Sequence, residues 1–181
     1  AISNDLYYNR LDSRIDPSEG YFLRGGLDLA GLGGDVRYAR TTAGAGYFIP
    51  FLDRSVVLGI SAEAGYIVAL SDEIRLPDRF FVGGNNLRGF ATAGVGPRDT
   101  VTGDSLGGTL FSTGTVELSF PLGLPRELGF TGKAFADFGT LTGAVETGAN
   151  VVDAASMRAS VGVGVAWRSP FGPLRIDIAK A

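Results

Sequence analysis

The sequence contains no cysteine and no histidine. A disulfide framework, a thiolate nucleophile and a Cys/His zinc site are therefore excluded. So are Ser-His-Asp and Cys-His mechanisms within this chain. The lack of cysteine fits export to an oxidising compartment, although weakly. No stretch of 18 apolar residues occurs, so no transmembrane helix is expected. The opening Ala1-Ile2-Ser3-Asn4-Asp5-Leu6 has no basic region followed by an apolar run and does not read as a targeting segment. An excess of positive charge is also missing. The net charge is −3, so nucleic acid is not an expected partner. Walker A, EF-hand and HExxH motifs are lacking, as is a GxGxxG that opens a helix, and no cofactor or metal is expected. No candidate general base stands out, so the chain is not read as an enzyme.

What is present points to a folded chain of one domain. It has 181 residues, of which 45% are hydrophobic and 19% charged, too apolar for disorder. Glycine, at 28 residues, is roughly twice its usual share, without a Gly-X-Y period. The dominant signal is alternation with period two. Leu58, Ile60, Ala62, Ala64, Tyr66, Val68 and Leu70 form one row, opposite Gly59, Ser61, Glu63, Gly65, Ile67 and Ala69. Met157, Ala159, Val161, Val163, Val165 and Trp167 form another, opposite Arg158, Ser160, Gly162, Gly164, Ala166 and Arg168. A helix cannot produce these stripes.

Strands are expected at 2–10, 20–31, 35–49, 55–70, 107–121, 128–140, 155–168 and 173–180. The longest stripes run about 11 to 16 residues, whereas soluble strands cluster near 5 or 6. A tilted strand needs roughly 9–11 residues to cross a bilayer. The fold class that follows is all-β: an antiparallel transmembrane β-barrel, here a partial one of about eight strands. A soluble antiparallel sheet would normally carry Lys, Glu and Thr on its wet face rather than Gly and Ala. Short turns at Gly31–Gly34, Pro50–Asp53, Gly123–Arg126 and Ser169–Gly172 contrast with long connections at 71–106 and 141–154. Short periplasmic turns and longer external loops are the rule in outer-membrane barrels, which places the long connections outside. Tyr7, Tyr8, Tyr47, Phe48, Phe120, Trp167 and Phe171 near strand ends suit interfacial girdles.

The most unusual segment is Arg79-Phe80-Phe81-Val82-Gly83-Gly84-Asn85-Asn86-Leu87-Arg88-Gly89-Phe90. So many apolar residues in a long connection suggest a loop that folds back and is buried. An extra short strand at 79–83 followed by a glycine turn would fit the residues equally well. Glu117 and Asp137 fall on the polar rows of neighbouring strands, roughly opposite each other. Like charges so placed need screening or a cation between them. Arginine suits that role, because its planar fork can hold two carboxylates. Arg88 is the candidate that the loop could deliver, with Lys133, Arg158 and Arg175 as competitors. A glycosidase dyad is the minor alternative, since an apolar barrel wall makes a poor sugar cleft. The rows of Gly59, Ser61 and Gly65 and of Ser160, Gly162, Gly164 and Ala166 would leave a narrow path along the inner wall for the loop. Arg175 and Asp177 look inward, and Leu174, Ile176 and Ile178 outward.

These residues resemble a known family. Phe80-Phe81-Val82-Gly83-Gly84, Leu87-Arg88-Gly89-Phe90 and Gly94-Val95-Gly96-Pro97-Arg98-Asp99 come first. Gly107-Gly108, Val116–Pro121, Phe135–Gly139, Ser160–Gly164 and Trp167–Arg175 follow, in an order similar to that of the membrane domain of BamA-like outer-membrane insertases. That superfamily also includes TamA. The resemblance implies a sixteen-stranded barrel in the outer membrane that folds and inserts other β-barrel proteins without covalent chemistry. It implies as partners outer-membrane lipid, unfolded β-barrel clients and, in the full-length protein, accessory assembly lipoproteins. It also implies that the loop motif, Gly83, Gly84, Leu87, Arg88, Gly89 and Phe90, enters the lumen and that Arg88 meets Glu117 and Asp137. A TamA-like translocation module or a passive outer-membrane pore is the alternative. The family's periplasmic POTRA domains, its first seven or so strands and its final strand have no counterpart in these residues. The sequence therefore reads as a piece of a longer protein, and two unpaired sheet edges would not be tolerated in lipid.

Overall fold

The computed structural model describes residues 2–31, 37–70, 74–146 and 148–181. It contains β1 (Ile2–Asn9), β2 (Gly20–Ala30), β3 (Tyr38–Phe51), β4 (Val56–Ala69), β5 (Arg98–Asp99), β6 (Leu110–Pro121), β7 (Phe130–Thr142), β8 (Val151–Val152), β9 (Arg158–Ser169) and β10 (Gly172–Lys180). Eight of them form one sheet in the order β1-β2-β3-β4-β6-β7-β9-β10, with every neighbouring pair antiparallel. The short β5 and β8 pair with each other and join the two long connections. Within the described residues the sheet is open, with β1 and β10 at its edges.

The two rows of each strand meet different surroundings. On β4, Ile60, Tyr66 and Val68 are exposed while Gly59, Gly65 and Ile67 are buried. On β9 and β10, Val161, Val163, Ile176 and Ile178 are 62%, 59%, 76% and 75% exposed. A continuous apolar face of this extent is incompatible with water, since each such side chain gains about 1.5–3 kcal/mol on leaving it. The lengths agree with a lipid setting. β4 has 14 residues. At a rise of about 3.3 Å per residue and a tilt of about 45°, a strand of that length spans about 33 Å, the thickness of a hydrocarbon core.

The other face is covered by the connection between β4 and β6. Tyr38, Ile67, Phe111 and Leu141 from the sheet enclose Ile74, Phe80, Val82, Leu87 and Val95 from the loop, and these residues make the hydrophobic core. This core lies between the loop and the wall rather than between two sheets.

Inward glycines serve the wall itself. Gly46 lies under the ring of Phe22, Gly59 under Phe48, Gly65 under Phe111 and Gly162 under Phe135. Each of these is a direct cross-strand partner. Likewise Arg24 lies over Gly44 and Asp177 over Gly164. The glycine rows are thus filled by neighbouring side chains, and the expected path for the loop is corrected accordingly. The loop meets this wall where Phe80 reaches Gly65 and where Gly89 reaches Ser160.

Several boundaries differ from expectation. Residues 35 and 36 of the expected third strand, and Leu32–Gly34 of its preceding turn, lie outside the described residues. Pro50 and Phe51 belong to β3 and pair with Val57 and Val56 rather than forming the turn. Pro50 is tolerated there because β2 has already ended opposite Phe48, so no donor is needed on that side. Leu52, Asp53 and Arg54 make the turn instead, all with positive φ (47°, 54° and 65°). Gly107 and Gly108 stay with the loop, so β6 starts at Leu110, and Leu128 sits in a 3-10 turn (Arg126–Leu128), so β7 starts at Phe130. The eighth expected strand begins a residue earlier, at Gly172, and the seventh only at Arg158. Two girdle candidates turn inward instead: Tyr7 stacks on Phe22, and Phe48 covers Gly59.

Candidate functional site

The loop is tied at its neck by reciprocal backbone hydrogen bonds between Phe80 and Gly108, at 2.9 and 3.0 Å. Phe80 packs on Phe111 with ring centroids 4.5 Å apart, and the Arg40 guanidinium lies over the Phe80 ring, 4.5 Å from its centre. Val95 N–H donates to the Val82 carbonyl at 3.0 Å. Of the expected short strand at 79–83, only isolated bridges at Phe80 and Val82 form. The segment folds back onto the wall.

Beyond Val82 the chain turns sharply. Gly83, Gly84 and Gly89 have φ of 128°, 70° and 88°, values that side chains rarely accept. Asn86 closes the turn: its Oδ1 accepts from Gly83 N–H at 2.8 Å, and its Nδ2 donates to the Phe81 carbonyl at 3.1 Å. Leu87 is fully buried and faces Gly139, while Phe90 packs on the edge of the core. Gly89 passes so close to the wall that a Cβ there would lie 3.1 Å from Ser160 Cβ and 3.3 Å from Ala179 Cβ. Ser160 Oγ donates to the Arg88 carbonyl at 2.5 Å.

This tip delivers Arg88 to the acids. Its Nε donates to Asp137 Oδ2 and its Nη2 to Oδ1, both at 2.7 Å, the bidentate geometry in which a guanidinium binds most strongly. The Arg88 backbone N–H adds a contact to the same carboxylate at 3.2 Å, and Thr115 Oγ1 donates to it at 2.9 Å. Arg88 Nη1 reaches Glu117 at 3.1 Å and Asp177 at 3.2 Å. Below the guanidinium lies the Phe135 ring, with 3.4 Å from Cζ to its centroid. Arg175 bonds Glu117 and Asp177, each at 2.7 Å, and Lys133 Nζ is 3.4 Å from Glu117. Three cations thus face three carboxylates, and the cluster is neutral. Asp137 is 2% exposed and Arg88 18%.

Glu117 and Asp137 are diagonal rather than opposite. Glu117 pairs with Phe135, and Asp137 with Thr115. The ladder closes with Pro121 opposite Thr131, a register that sets Phe135 rather than Asp137 opposite Glu117. Of the competing cations, Lys133 and Arg175 join the cluster. Arg158 is exposed near Arg98 and Ser156 and touches none of these acids. Sequence reasoning placed Asp177 inward but not on Arg88, and it missed Thr115, Phe135 and Ser160 as contacts. Their shared row parity was the available signal. Every acid here is held by a cation, an arrangement suited to fixing a loop rather than to moving protons.

Over its whole length, residues 1–181, the chain matches the Omp85 superfamily domain. The chain belongs to the Omp85 superfamily. It is 44% identical over 182 residues to the outer membrane protein assembly factor BamA of Neorickettsia risticii, an alignment that covers 100% of this chain and 24% of that protein. It is also 36% identical to a SAM50-like protein of Schizosaccharomyces pombe, over 61% of this chain and 24% of the relative. The crystal structure of BamA from Haemophilus ducreyi lacking POTRA domains 1–3 superimposes with a TM-score of 0.85 at 23% identity, over 98% of this chain and 38% of that one. This Omp85 chain spans about a quarter of the length of the curated relatives it matches, 24% in both cases above. Its eight-stranded sheet is accordingly part of a barrel.

Proposed function

We propose that this Omp85 chain is the membrane part of an outer-membrane protein assembly factor, which folds and inserts β-barrel proteins into the outer membrane without covalent chemistry. Residues 1–181 act as one partial-barrel domain within that longer protein. Its partners are outer-membrane lipid, unfolded β-barrel clients and, in the complete protein, accessory assembly lipoproteins. The observation that carries this reading is the 44% identity to BamA along the whole chain. The apolar outer rows give the strands their lipid contact. Within that function Arg88 is the brace: it joins β6, β7 and β10 through Glu117, Asp137 and Asp177, and Ser160 adds β9. The loop motif of Gly83, Gly84, Leu87, Arg88, Gly89 and Phe90 exists to place it.

The test uses the complete protein in liposomes supplied with an unfolded β-barrel client. Faster client folding than in protein-free liposomes is the expected result. Ion conductance with no gain in client folding would replace this reading by that of a passive pore.

A further inference from the structure

A second buried arginine lies away from the Arg88 cluster. Arg79 is 3% exposed in its side chain. Its Nε and Nη2 donate to the Ile74 carbonyl at 3.1 and 2.9 Å, and its Nη1 donates to the Leu106 carbonyl at 2.9 Å. The same Nη1 reaches both carboxylate oxygens of Glu146 at 2.6 Å. Ile74 and Leu106 stand at the two ends of the loop that carries Arg88, whereas Glu146 belongs to the connection between β7 and β9. One side chain therefore closes the neck of the loop and ties it to the neighbouring connection. Only a planar fork with donors in several directions can do this. A lysine ammonium carries its three donors on one nitrogen and does not match this spread of acceptors.

The neighbouring connection grips the loop a second time. Arg98 and Asp99 in β5 pair with Val152 and Val151 in β8. Thr100 adds its N–H and Oγ1 to the Asn150 carbonyl, at 2.8 and 3.0 Å. Between the two grips, Leu141 is 1% exposed and packs under Gly96 and Gly108.

We propose that Glu146 and residues 150–152 form a positioning clamp for the loop. Glu146, acting through Arg79, fixes the neck so that Arg88 arrives on Asp137. This rests on the reading of the chain as part of an assembly factor in which Arg88 is a brace. Glu146 touches neither the Arg88 cluster nor the lipid-facing rows, so its effect passes through the loop. Its carboxylate is 42% exposed, and its replacement leaves the buried Arg79 guanidinium to the Ile74 and Leu106 carbonyls.

The experiment places Glu146→Ala and Glu146→Gln in the complete protein in liposomes, each alone and combined with Arg88→Ala. Two quantities are read: the rate of tryptic cleavage after Arg98, and the rate of client folding. Loosening of a local unit raises cleavage in proportion to its open population. Glu146→Ala is expected to raise cleavage after Arg98 about fivefold or more and to slow client folding about threefold, with Glu146→Gln milder in both. In the Arg88→Ala background it should slow client folding by less than about twofold more, because residues that act through one contact are not additive. Unchanged cleavage and folding in Glu146→Ala would overturn the clamp, as would losses that multiply in the double variant. If Glu146→Ala fails to fold, Glu146→Gln carries the same comparison. If Arg88→Ala alone folds clients normally, the brace fails, and the clamp on the loop still stands or falls on cleavage after Arg98.

Discussion

Replacing Arg88 by methionine removes a charge from a balanced set of six. Arg88, Arg175 and Lys133 face Glu117, Asp137 and Asp177. The acids do not suffer equally. Glu117 keeps Arg175 and Lys133, and Asp177 keeps Arg175. Asp137 keeps only the hydroxyl of Thr115, at 2.9 Å, and the backbone N–H of residue 88, at 3.2 Å, and is 2% exposed. Its carboxylate would be left buried without a cation, which costs about 3–5 kcal/mol when one partner of such a pair is removed. Adding Asp137→Asn restores neutrality and leaves a side chain that Thr115 can still bond. The double variant should therefore recover about half of that loss, or about 2 kcal/mol. The assay is the urea midpoint of the complete protein in vesicles, followed by tryptophan fluorescence and by the gel shift between folded and heat-unfolded forms. A single variant within about 0.5 kcal/mol of the parent would refute the reasoning, as would a double variant weaker than the single one.

Three further outcomes follow from particular contacts. Gly162→Ala puts a Cβ within 2.5 Å of both the Phe135 ring and the Ile178 carbonyl, so it should cost about 1–3 kcal/mol. Gly114→Ala, on the outward row with its nearest atom at 3.6 Å, should stay within about 0.5 kcal/mol by the same urea titration. In the β1–β2 connection, the Ser18 hydroxyl and three backbone N–H groups, of Ser13, Ser18 and Glu19, donate to Asp12. The Ser18 hydroxyl bond leads in holding its carboxyl down at about 2, from an ordinary 3.8, and with the three N–H bonds outweighs the opposing effect of burial. The folded value is the lower one, so the carboxylate supports this turn fully above pH 3.8 and loses that support as pH falls through about 2. Peptic cleavage between residues 10 and 19, divided by that of an unstructured peptide at the same pH, should accelerate over that window in the parent, and that ratio should stay flat in Asp12→Asn. Equal pH profiles would count against this.

Much of the fold was legible because a strand in lipid writes its two environments onto alternate residues. The rows from Leu58 to Leu70 and from Met157 to Trp167 needed no tertiary information to be divided into outward and inward sets. Glu117, Asp137 and Arg88 were legible for a related reason: charges on an inward row demand a countercharge, and the glycine-flanked arginine was the residue a folded-back loop could bring. Arg79 carried no such signal. It stands beside Phe80 and Phe81 like any strand-end cation, and its partners Ile74, Leu106 and Glu146 are joined only once both long connections have closed.

By itself the sequence determined which residues face lipid and which face inward, since period two is a local property of extended backbone. Only the tertiary structure decided the register of β6 on β7, which makes Glu117 and Asp137 diagonal and puts Phe135 beneath Arg88. Only it drew Asp177 and the Arg79 clasp into play. Register depends on turn geometry, and loop docking on contacts between residues as far apart as Arg88 and Asp177, so neither is written in any local pattern.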